Sequence, residues 1–279
     1  MNILIVDSYN ILFRSYYGLP DTIINKEGEP INALQGVFIS LANTIRDFKI
    51  DQIECVMEGK SLRRRRISAD YKSGRLEKPE KLELQIKEAP RLFKKSGFTL
   101  HLPEADDEAD DVIATRALQV SNEGHQAFIM TNDKDLEAVL SKNIHIIKPG
   151  QKLTLWTPET LMEKKGILPH QVSEYLALIG DDSDNVPGVE GIGPVSAVKV
   201  LKSDNFKAAL EKHSREPIKD ALRKFELAKE LTELCIPCPF TTEEPTGTDP
   251  VTTLKEKGCI RASDHFEEII NGPKQTELF

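Results

Sequence analysis

Short apolar runs alternate with longer amphipathic stretches over the first half of the chain. The apolar runs are rich in β-branched residues and cover residues 2–6, 53–57, 126–131 and 144–148. Near-continuous apolar segments of this length are typical of strands that are covered on both faces of a parallel sheet. Helical periodicity occupies the stretches between them, roughly at 33–48, 80–96 and 109–123. Strand alternating with helix predicts an α/β fold, with a parallel sheet flanked by helices.

The pattern changes after about residue 158. From there to about 233 it is helical, punctuated by Gly and Pro, with no convincing strand. The part from about 241 contains TTEEPTGTDP and NGPKQ, which predict a loop-rich, partly irregular segment. A chain of 279 residues is long enough for one core with a smaller appended unit. We therefore predict an α/β core, a helical region and a loop-rich C-terminal segment, at 1–158, 159–240 and 241–279.

Composition and charge narrow the class of protein without deciding it. The N-terminal apolar run ends at Asp7 without a basic leader, and no apolar stretch approaches the roughly 20 residues of a membrane helix. Four cysteines do not suggest a disulfide scaffold, so we expect a reducing cytoplasm. A net charge of −8 is unusual for a protein that binds phosphates. The acids crowd into short motifs, however, and basic residues form separate runs such as 63–66.

Acidic residues follow three of the predicted strands at the point where each strand ends. Asp7 ends the first strand, Glu58 follows the second, and Asp133 and Asp135 follow the strand at 126–131. A single acid in such a place is commonly the N-cap of the next helix. Ligands of open parallel sheets bind beyond the carboxyl ends of the strands. We therefore expect the acids of three strands to form one cluster at that edge.

Residues 104–111 read EADDEADD, directly before the helical residues VIAT. Acids in a first helical turn are favoured by the helix dipole, so a well-capped helix is the simpler explanation. Six acids in eight residues exceed what capping needs. Glu108 and Asp111 lie three residues apart on one helical face, with Asp110 at its rim. Like charges packed this closely are costly unless cations neutralise them, so the segment predicts a metal site.

A third acidic group, IGDDSDN at residues 179–185, contains Asp181 and Asp184. Oxygen ligands without a nearby His or Cys cluster favour hard cations, here Mg²⁺ or Mn²⁺. A calcium loop is the competing interpretation, but the spacing lacks the EF-hand pattern and its terminal Glu.

The glycine-rich stretch 188–193 follows with the spacing G-x-x-G-x-G. It is not a dinucleotide fingerprint, because the preceding segment reads as a helix rather than a strand. A glycine turn that opens a helix, here at Pro194, presents free backbone N–H groups to a phosphate. A plain helix-turn-helix without a ligand is an equally open interpretation.

A basic segment at 60–66 and 70–75 follows Glu58 and leaves the predicted acidic edge. Arginine is suited to bidentate contacts with phosphate, and Tyr71 could stack on an unpaired base. A run of charges is usually a solvated face, and that alternative stays open.

Together these motifs resemble the 5′–3′ exonuclease and flap endonuclease family, most closely the N-terminal nuclease domain of bacterial DNA polymerase I. The resemblance covers residues 1–240 and rests on LIVD, EADDVI, TNDKDL and YLALIGDDSDNVPGVEGIG, which start at Leu4, Glu108, Thr131 and Tyr175. It implies a monomeric enzyme with a PIN-like sheet that cuts DNA near free 5′ ends and flaps. It also implies two clusters of Mg²⁺ ligands, with Mn²⁺ as a substitute: Asp7, Glu58, Glu108, Asp110 and Asp111, then Asp133, Asp135, Asp181 and Asp184.

The same resemblance assigns other residues to DNA. The run from Tyr71 and Lys72 to Arg75 resembles the family's arch, here at about 60–95. A helix-turn-helix that grips duplex DNA, often around a K⁺ ion, matches residues 188–201. Its candidate DNA contacts are Gly188, Gly191, Gly193, Ser196 and Lys199.

The implied reaction is phosphodiester hydrolysis, in which one metal ion generates hydroxide and another stabilises the leaving oxygen. Lys60 and Arg64 match basic residues over the scissile phosphate, where they would stabilise its charge. Glu58 departs from the pattern, since Asp is usual there, and the segment between it and Tyr71 is one residue short. The extra methylene could shift a ligand by about an ångström, enough to slow chemistry.

Two other functions compete with this one. One is a non-catalytic binder of branched DNA, in which the change at Glu58 has cost activity. The acids at the other matched positions argue against this function, because a pure binder gains nothing from buried like charge. A ribonuclease of the related PIN type is less consistent with residues 181–193, a module that those shorter domains lack. No polymerase or proofreading sequence follows, so we expect a free-standing nuclease.

Two smaller motifs remain. The C-x-x-C spacing of Cys235 and Cys238 has no second pair nearby, so we expect incidental cysteines. The last residues, QTELF, resemble the peptide by which bacterial replication proteins bind the sliding clamp, with Gln275, Leu278 and Phe279 as contacts. A frayed chain end without function is the alternative.

Overall fold

A mixed sheet of seven strands runs through the chain, with helices on both faces; the computed structural model describes residues 1–75 and 77–272. The strands of this described part are β1 (Asn2–Asp7), β2 (Gln52–Val56), β3 (Thr99–Pro103), β4 (Gln126–Met130), β5 (Ile144–Lys148), β6 (Thr154–Trp156) and β7 (Phe240–Glu243). Their order is β6-β5-β4-β1-β2-β3-β7. The five inner strands are parallel, and β6 and β7 pair antiparallel at the two edges. The predicted α/β fold with a parallel sheet is thereby confirmed.

The helices connect the strands in the order that the periodicity predicts. Helices α2, α4 and α5 match the predicted stretches at 33–48, 80–96 and 109–123. The described α-helices are α1 (Ser8–Gly18), α2 (Asn32–Phe48), α3 (Leu62–Ile67), α4 (Glu80–Lys95), α5 (Ala109–Asn122), α6 (Pro158–Lys165), α7 (Val172–Ile179), α8 (Pro194–Leu201), α9 (Phe206–His213), α10 (Ile218–Thr232), α11 (Pro250–Lys257) and α12 (Ile260–Asn271).

Successive residues of the inner strands enter two different hydrophobic cores. In β1, Leu4 and Val6 pack with α1, α2, α4, α11 and α12, whereas Ile3 and Ile5 pack with α5 and the helices from α6 to α10. Alternate side chains of a strand point to opposite faces, so a strand covered on both faces needs apolar residues at every position. This explains the near-continuous apolar runs.

The sheet contains strands that the sequence pattern did not predict. β3 is an inner strand, and the edge strands β6 and β7 pair with β5 and β3. In β6, Thr154 and Leu155 are both exposed, so the alternation of apolar and polar residues is absent. These strands depend on backbone pairing with a neighbour distant in sequence.

The segment after residue 241 is more ordered than predicted. Instead of loops it contains α11 and α12, and the Asp249 carboxylate caps α11 by accepting from the amides of Val251 and Thr252. On α12, Phe266 packs against Phe38 and Phe98, with ring centroids 6.3 and 6.4 Å away. These helices therefore close one face of the sheet.

Two further predictions concern membrane-spanning helices and the clamp-binding residues at the end of the chain. Within residues 1–75 and 77–272, no helix has both the length and the apolar character needed to cross a membrane. The predicted clamp contacts Gln275, Leu278 and Phe279 lie outside the described residues.

Candidate metal and nucleic-acid site

The carboxyl ends of β1 and β4 bring Asp7 close to the loop that follows β4. Thr131 donates its hydroxyl to Asp7 Oδ2 at 2.7 Å and accepts from the Asp133 amide at 2.9 Å. Asp133 Oδ1 in turn accepts from the Asp135 amide at 2.9 Å. One hydroxyl, which the sequence analysis did not single out, therefore ties this acidic loop to the end of β1.

The start of α5 adds a second group of acids. Glu108 is its N-cap, and Asp111 Oδ2 accepts from the Glu108 amide at 3.1 Å, which completes a capping box. A Cβ atom on Gly59 would lie 2.0 Å from a carbonyl oxygen of the loop that precedes Glu108. Only glycine lets the loop after β2 approach this closely, and the approach brings Glu58 within electrostatic reach of Glu108.

The third acidic group forms a closed loop between two glycines. Asp181 and Val186 exchange backbone hydrogen bonds of 3.0 and 2.9 Å. Gly180 has a φ of +78°, and a Cβ atom on it would lie 2.6 Å from the nitrogen of Gly188. Because the two glycines permit this contact, the loop turns sharply and brings Asp181 and Asp184 to the cavity that the strand-end acids line.

One cavity of about 230 Å³ lies between the acidic loop after β4 and the closed loop that carries Asp181 and Asp184. Acidic and basic side chains line it together. The lining residues are Asn10, Tyr71, Arg75, Asn132, Asp133, Lys134, Asp135, Asp181, Ser183, Asp184, Val186, Leu231 and Thr232.

Desolvation and mutual repulsion raise the pKa values of several acids here. Burial, with Asp133 adding to it, raises the pKa of Asp7 to about 7 in spite of the hydrogen bond from Thr131. Burial and the charges of Asp133 and Asp7 raise the pKa of Asp110 well above its ordinary value. The pKa of Asp135 is raised in the same way, first by burial and then by Asp133. A divalent cation would relieve this repulsion.

The raised pKa of Asp7 predicts that its carboxylate lowers the stability of the metal-free protein as the pH rises from 3.8 to about 7. In that window the folded protein holds more protons than the unfolded chain, so the free energy of unfolding falls with pH. The contribution of Asp7 has a slope of at most about 1.4 kcal/mol per pH unit. Urea unfolding in EDTA at pH 5 and pH 7 measures this pH dependence of stability for the wild type and for Asp7→Asn. An Asp7→Asn slope equal to that of the wild type would contradict the assignment.

The donor set fits a hard divalent cation by its chemistry. It consists of carboxylate oxygens, and Asp7, Asp110, Asp133 and Asp135 form no ion pair within the described residues. In residues 1–75 and 77–272, no three His, Cys, Asp or Glu side chains are arranged around a single point as an ion would require. Asp133 and Asp135 line the cavity, and Asp7 and Asp110 lie within electrostatic reach of Asp133.

Comparison with known proteins shows which family this chain belongs to. Residues 2–166 match the family model described as the 5′–3′ exonuclease N-terminal resolvase-like domain, and residues 167–250 match the 5′–3′ exonuclease C-terminal SAM fold. The chain belongs to the 5′–3′ exonuclease family. The resemblance drawn from the motifs is confirmed, and with it the class of hydrolytic nucleases.

Individual members of the family agree in sequence and fold. The 5′–3′ exonuclease of Aquifex aeolicus is 35% identical over 236 residues, which cover 82% of this chain and 80% of the relative. The thermostable DNA polymerase I of Thermus thermophilus is 33% identical over 89% of this chain, which spans 30% of that protein's length. The bacteriophage T5 flap endonuclease, solved with DNA and metal ions, has a TM-score of 0.66 at 18% identity, covering 97% of this chain and 100% of the other. That likeness confirms the fold.

Arg64 and Asp111 do not fit the roles predicted for them in a 5′–3′ exonuclease. Arg64 is 3% exposed, and its Nη1 and Nη2 lie 2.8 and 2.9 Å from the two oxygens of Asp111. Its remaining donors reach Glu108 Oε2 at 3.1 Å and the carbonyl oxygens of Leu231 and Glu233 at 2.9 and 3.0 Å. Four of its five N–H groups thus donate hydrogen bonds and Nη1 also forms the ion pair with Glu108, so this buried guanidinium is committed to the protein rather than to a phosphate. Asp111 likewise has no free oxygen for a metal ion.

Tyr71 also differs from its predicted role as a base-stacking residue. It is 2% exposed, and its hydroxyl lies 3.1 Å from Glu108 Oε2 and 3.4 Å from Asp184 Oδ2. A ring that is buried in this way has no face for an unpaired base. Tyr71 instead anchors the segment that carries Lys72 and Arg75.

Three basic side chains form ion pairs with Glu108, Asp181 and Asp184. Lys72 Nζ lies 2.7 Å from Glu108 Oε1 and 3.6 Å from Asp184 Oδ2, and Arg75 Nη2 lies 2.7 Å from Asp184 Oδ1. Lys134 Nζ lies 2.9 Å from Asp181 Oδ2. Burial opposes the charge of Lys72, but Glu108 and Asp184 outweigh it and raise the pKa of the ammonium group. Ion pairs within the chain thus neutralise these three carboxylates.

Two further residues position the acids. Asp7 Oδ1 accepts from the Asn10 amide at 3.1 Å, and Asn10 Oδ1 accepts from the Asn132 amide at 3.2 Å. The spacing of Asp7 and Asn10 is that of an N-cap with the third residue of its helix, a signal present in the sequence. Lys60, in contrast, is exposed beside this edge.

The predicted helix-turn-helix corresponds to α7, the acidic and glycine-rich loop, and α8. Gly191 has a φ of +85°, and a Cβ atom there would lie 2.7 Å from Arg215 Cγ. Pro194 begins α8, Ser196 is half-buried and Lys199 is exposed, while Gly188 and Gly193 lie in the connecting loop. The DNA contacts assigned to these residues stay predictions.

Proposed function

We propose that this chain is a metal-dependent 5′ nuclease that hydrolyses DNA phosphodiesters near free 5′ ends and flaps. The observation that carries the proposal is the burial of Asp7, Asp110, Asp133 and Asp135 close to one another, which raises their pKa values, at the edge where a cavity is also lined by cationic side chains. Such a site suits a reaction in which divalent cations and a phosphate meet. Membership of a family of hydrolytic nucleases supports it further.

Mg²⁺ is the proposed cofactor, with Mn²⁺ as a substitute. Asp7, Asp110, Asp133 and Asp135 would hold the ions, because within the described residues they form no ion pair. Once bound, the ions supply a hydroxide from coordinated water and stabilise the leaving oxygen. The T5 flap endonuclease was solved with metal ions, which supports this assignment. Supporting ligands in the proposal are Glu58, Glu108, Asp181 and Asp184.

The chain's own cations are proposed to hold and orient the DNA phosphate. Arg75 is half-exposed, so it keeps N–H donors free beside its contact with Asp184. Lys60 is exposed two residues after Glu58. Lys72 is bound to Glu108 and Asp184, and turning away from these carboxylates would direct its ammonium group to a phosphate. Fixed positive charges of this kind stabilise the charge that develops on the reacting phosphate.

Duplex DNA is proposed to lie against the helix-turn-helix. The beginning of α8 offers free backbone N–H groups, and Ser196 and Lys199 would contact phosphates on the same side. Gly188, Gly191 and Gly193 let the backbone come close to the sugar-phosphate chain, with K⁺ as a bridging ion. The T5 flap endonuclease was solved with DNA, which supports a DNA substrate.

A panel of 5′-labelled substrates tests the proposed specificity. We expect cutting of a flap duplex near its junction and of a duplex with a recessed 5′ end, and little cutting of the same strand without a complement. Equal cutting of all of them would contradict structure-specific recognition. Binding of the flap without cutting in either Mg²⁺ or Mn²⁺ would favour the branched-DNA binder, in which Glu58 misplaces a ligand.

The sliding clamp is a proposed partner of the last residues, QTELF. Removing residues 275–279 is expected to abolish binding to an immobilised bacterial clamp and to leave unassisted flap cleavage unchanged. A second variant, Leu278→Ala with Phe279→Ala, removes the apolar side chains, keeps the chain length and is also expected to abolish clamp binding. Clamp binding that survives both changes would contradict the assignment.

A monomer in a reducing cytoplasm completes the proposal. Four cysteines in a chain of this length do not form a disulfide scaffold, which supports a reducing compartment. Sedimentation analysis at micromolar concentration tests the monomer.

A further inference from the structure

Cys235 and Cys238, which the sequence pattern marks as incidental, are fixed side by side along α5. The Cys235 amide donates to Asp111 Oδ1 at 2.8 Å, and the Cys238 amide donates to Thr115 Oγ1 at 3.1 Å. Asp111 and Thr115 are four residues apart on one helical face, which corresponds to about 6 Å along the axis. Disulfides span Cα distances of about 4.4–6.8 Å, and the spacing of the two anchoring side chains along α5 is compatible with that range.

The two thiols differ in their access to solvent. Cys235 is half-buried, whereas Cys238 is 5% exposed and lies 3.6 Å from the Thr115 hydroxyl. Burial raises the pKa of the Cys238 thiol to about 11, and the charge of Cys235 adds to this effect, which places the two sulfur atoms within electrostatic reach. The other two cysteines, Cys55 and Cys259, are fully buried.

A guanidinium group lies against the accessible thiol. Arg63 Nη1 contacts Cys235 Sγ, and Arg63 Nη2 contacts Asp107. The thiolate is the reactive form in disulfide exchange, and Arg63 is placed to contact that anion. Cys235 therefore combines access, a contacting guanidinium and a second thiol nearby, whereas Cys55 and Cys259 are fully buried.

We propose that Cys235 is a thiol-modification site that reacts with low-molecular-weight disulfides, and that Cys238 then displaces the adduct to form an intramolecular disulfide. The Cys235 thiolate attacks one sulfur of the small disulfide, a mixed disulfide forms and one small thiolate leaves. The Cys238 thiolate then attacks Cys235 Sγ and releases the second small thiolate. The two protein thiols lose two electrons and two protons, and the small disulfide takes up both.

The location connects this chemistry to the proposed nuclease site. The same Asp111 oxygen that accepts from the Cys235 amide also accepts from Arg64. Arg64 in turn binds the carbonyl oxygens of Leu231 and Glu233, a few residues before Cys235. An adduct on Cys235 would displace Arg63 from its sulfur contact, at the base of α3. Intracellular disulfides are commonly transient and redox-sensing, which is the type expected here.

Glutathione disulfide is the probe for the test, added to the folded full-length chain at pH 8, with alkylation and intact-mass measurement over time. The wild type is expected to lose two hydrogen masses, with Cys55 and Cys259 unmodified in peptide maps. Cys238→Ser is expected to gain one glutathione at Cys235 and keep it. Cys235→Ser is expected to gain nothing until it is unfolded in urea.

Three results would overturn the proposal. One is a glutathione adduct at Cys238 in Cys235→Ser, which would make Cys235 unnecessary. Another is a wild-type chain that keeps its adduct as stably as Cys238→Ser, which would remove the role of Cys238. The third is a folded wild type that stays unmodified while the urea-unfolded chain reacts at all four thiols. Far-UV circular dichroism of both variants confirms that they are folded.

Discussion

Replacing Asp110 by asparagine is expected to abolish cleavage and, at the same time, to stabilise the metal-free protein. Its pKa is raised by burial and by the charges of Asp133 and Asp7, so its ionised form is unfavourable in the folded state. Removing that charge at pH 8 should raise the free energy of unfolding by about 1 kcal/mol or more, because one pKa unit corresponds to about 1.4 kcal/mol. The melting temperature in EDTA should rise by roughly 2–4 °C per kcal/mol.

The loss of cleavage has a separate cause. Asp110 is a proposed ligand of the cations, and removal of one electrostatic contributor to a reaction of this type costs at least about a hundredfold in rate. The stabilisation that Mg²⁺ gives the wild type should shrink in parallel, because a bound ligand stabilises only as far as it is bound. Gain of stability with loss of function is a known trade-off at active sites.

Asp106→Asn is the matched control for Asp110→Asn. Asp106 lies four residues earlier and is half-exposed, with Arg66 as its partner at 2.8 Å. It should change neither the melting temperature in EDTA nor the cleavage rate, since exposed ion pairs contribute little. An Asp110→Asn protein that cuts at the wild-type rate would exclude Asp110 as a ligand. One that melts earlier than the wild type in EDTA would contradict the repulsion among these acids.

Replacing Arg64 by alanine is expected to destabilise the fold by about 3–5 kcal/mol, because it leaves a buried charge without its partner. Asp111 would keep the amide bonds from Glu108 and Cys235 but lose both bonds to the guanidinium. Although burial works against its charge, Arg64 and these amides lower the pKa of Asp111, so it stays ionised at neutral pH. Urea unfolding at pH 7 measures the difference in stability.

Arg65→Ala is the control for Arg64→Ala, since it changes the next residue of the same helix. Arg65 is exposed on the outer face of α3 and should shift stability by less than about 0.5 kcal/mol. If Arg64→Ala unfolds at the wild-type urea concentration and only slows cleavage, Arg64 acts on the phosphate as the family resemblance implied. If Arg64→Ala instead unfolds at a clearly lower urea concentration than the wild type, the role of Arg64 is to stabilise the fold.

Much of the fold could be predicted because its inner strands are covered on both faces. β1, β2, β4 and β5 need apolar residues at most positions on both faces, and this produces short, near-continuous apolar runs that no other element imitates well. β3, with the sequence TLHLP, carries two polar positions among five residues, and His101 pairs with Glu54 of β2 and Thr242 of β7. That pairing joins residues far apart in sequence, so local periodicity does not contain it.

The helices after residue 250 were missed for a related reason. The Pro, Gly and Thr residues before them resemble a loop, and α11 begins only because Asp249 caps it. α12 carries an apolar face, with Ala262 and Phe266 buried, but its length of 12 residues gives a weak periodic signal. Packing on Phe38 and Phe98 stabilises it, and the sequence does not show that contact.

The position of several acids in the candidate site could be predicted from the sequence, but the roles of its arginines could not. Acids at strand ends meet because parallel strands share one carboxyl edge, so Asp7, Asp133 and Asp135 followed from the order of elements. The four arginines at 63–66 look alike in the sequence, but only tertiary structure shows that Arg64 turns inward to Asp111. Tyr71 is similar, because its burial depends on Glu108 and Asp184, which come from distant segments.

Cleavage of a 5′-labelled flap duplex in Mg²⁺ tests the central claim most directly, with EDTA and Asp181→Ala as parallel controls. The account predicts cutting near the junction that is lost in EDTA and strongly reduced in Asp181→Ala, while both proteins still bind the flap. Cutting that persists in EDTA would contradict a divalent-cation site, and binding without cutting in Mg²⁺ and Mn²⁺ would contradict the nuclease itself.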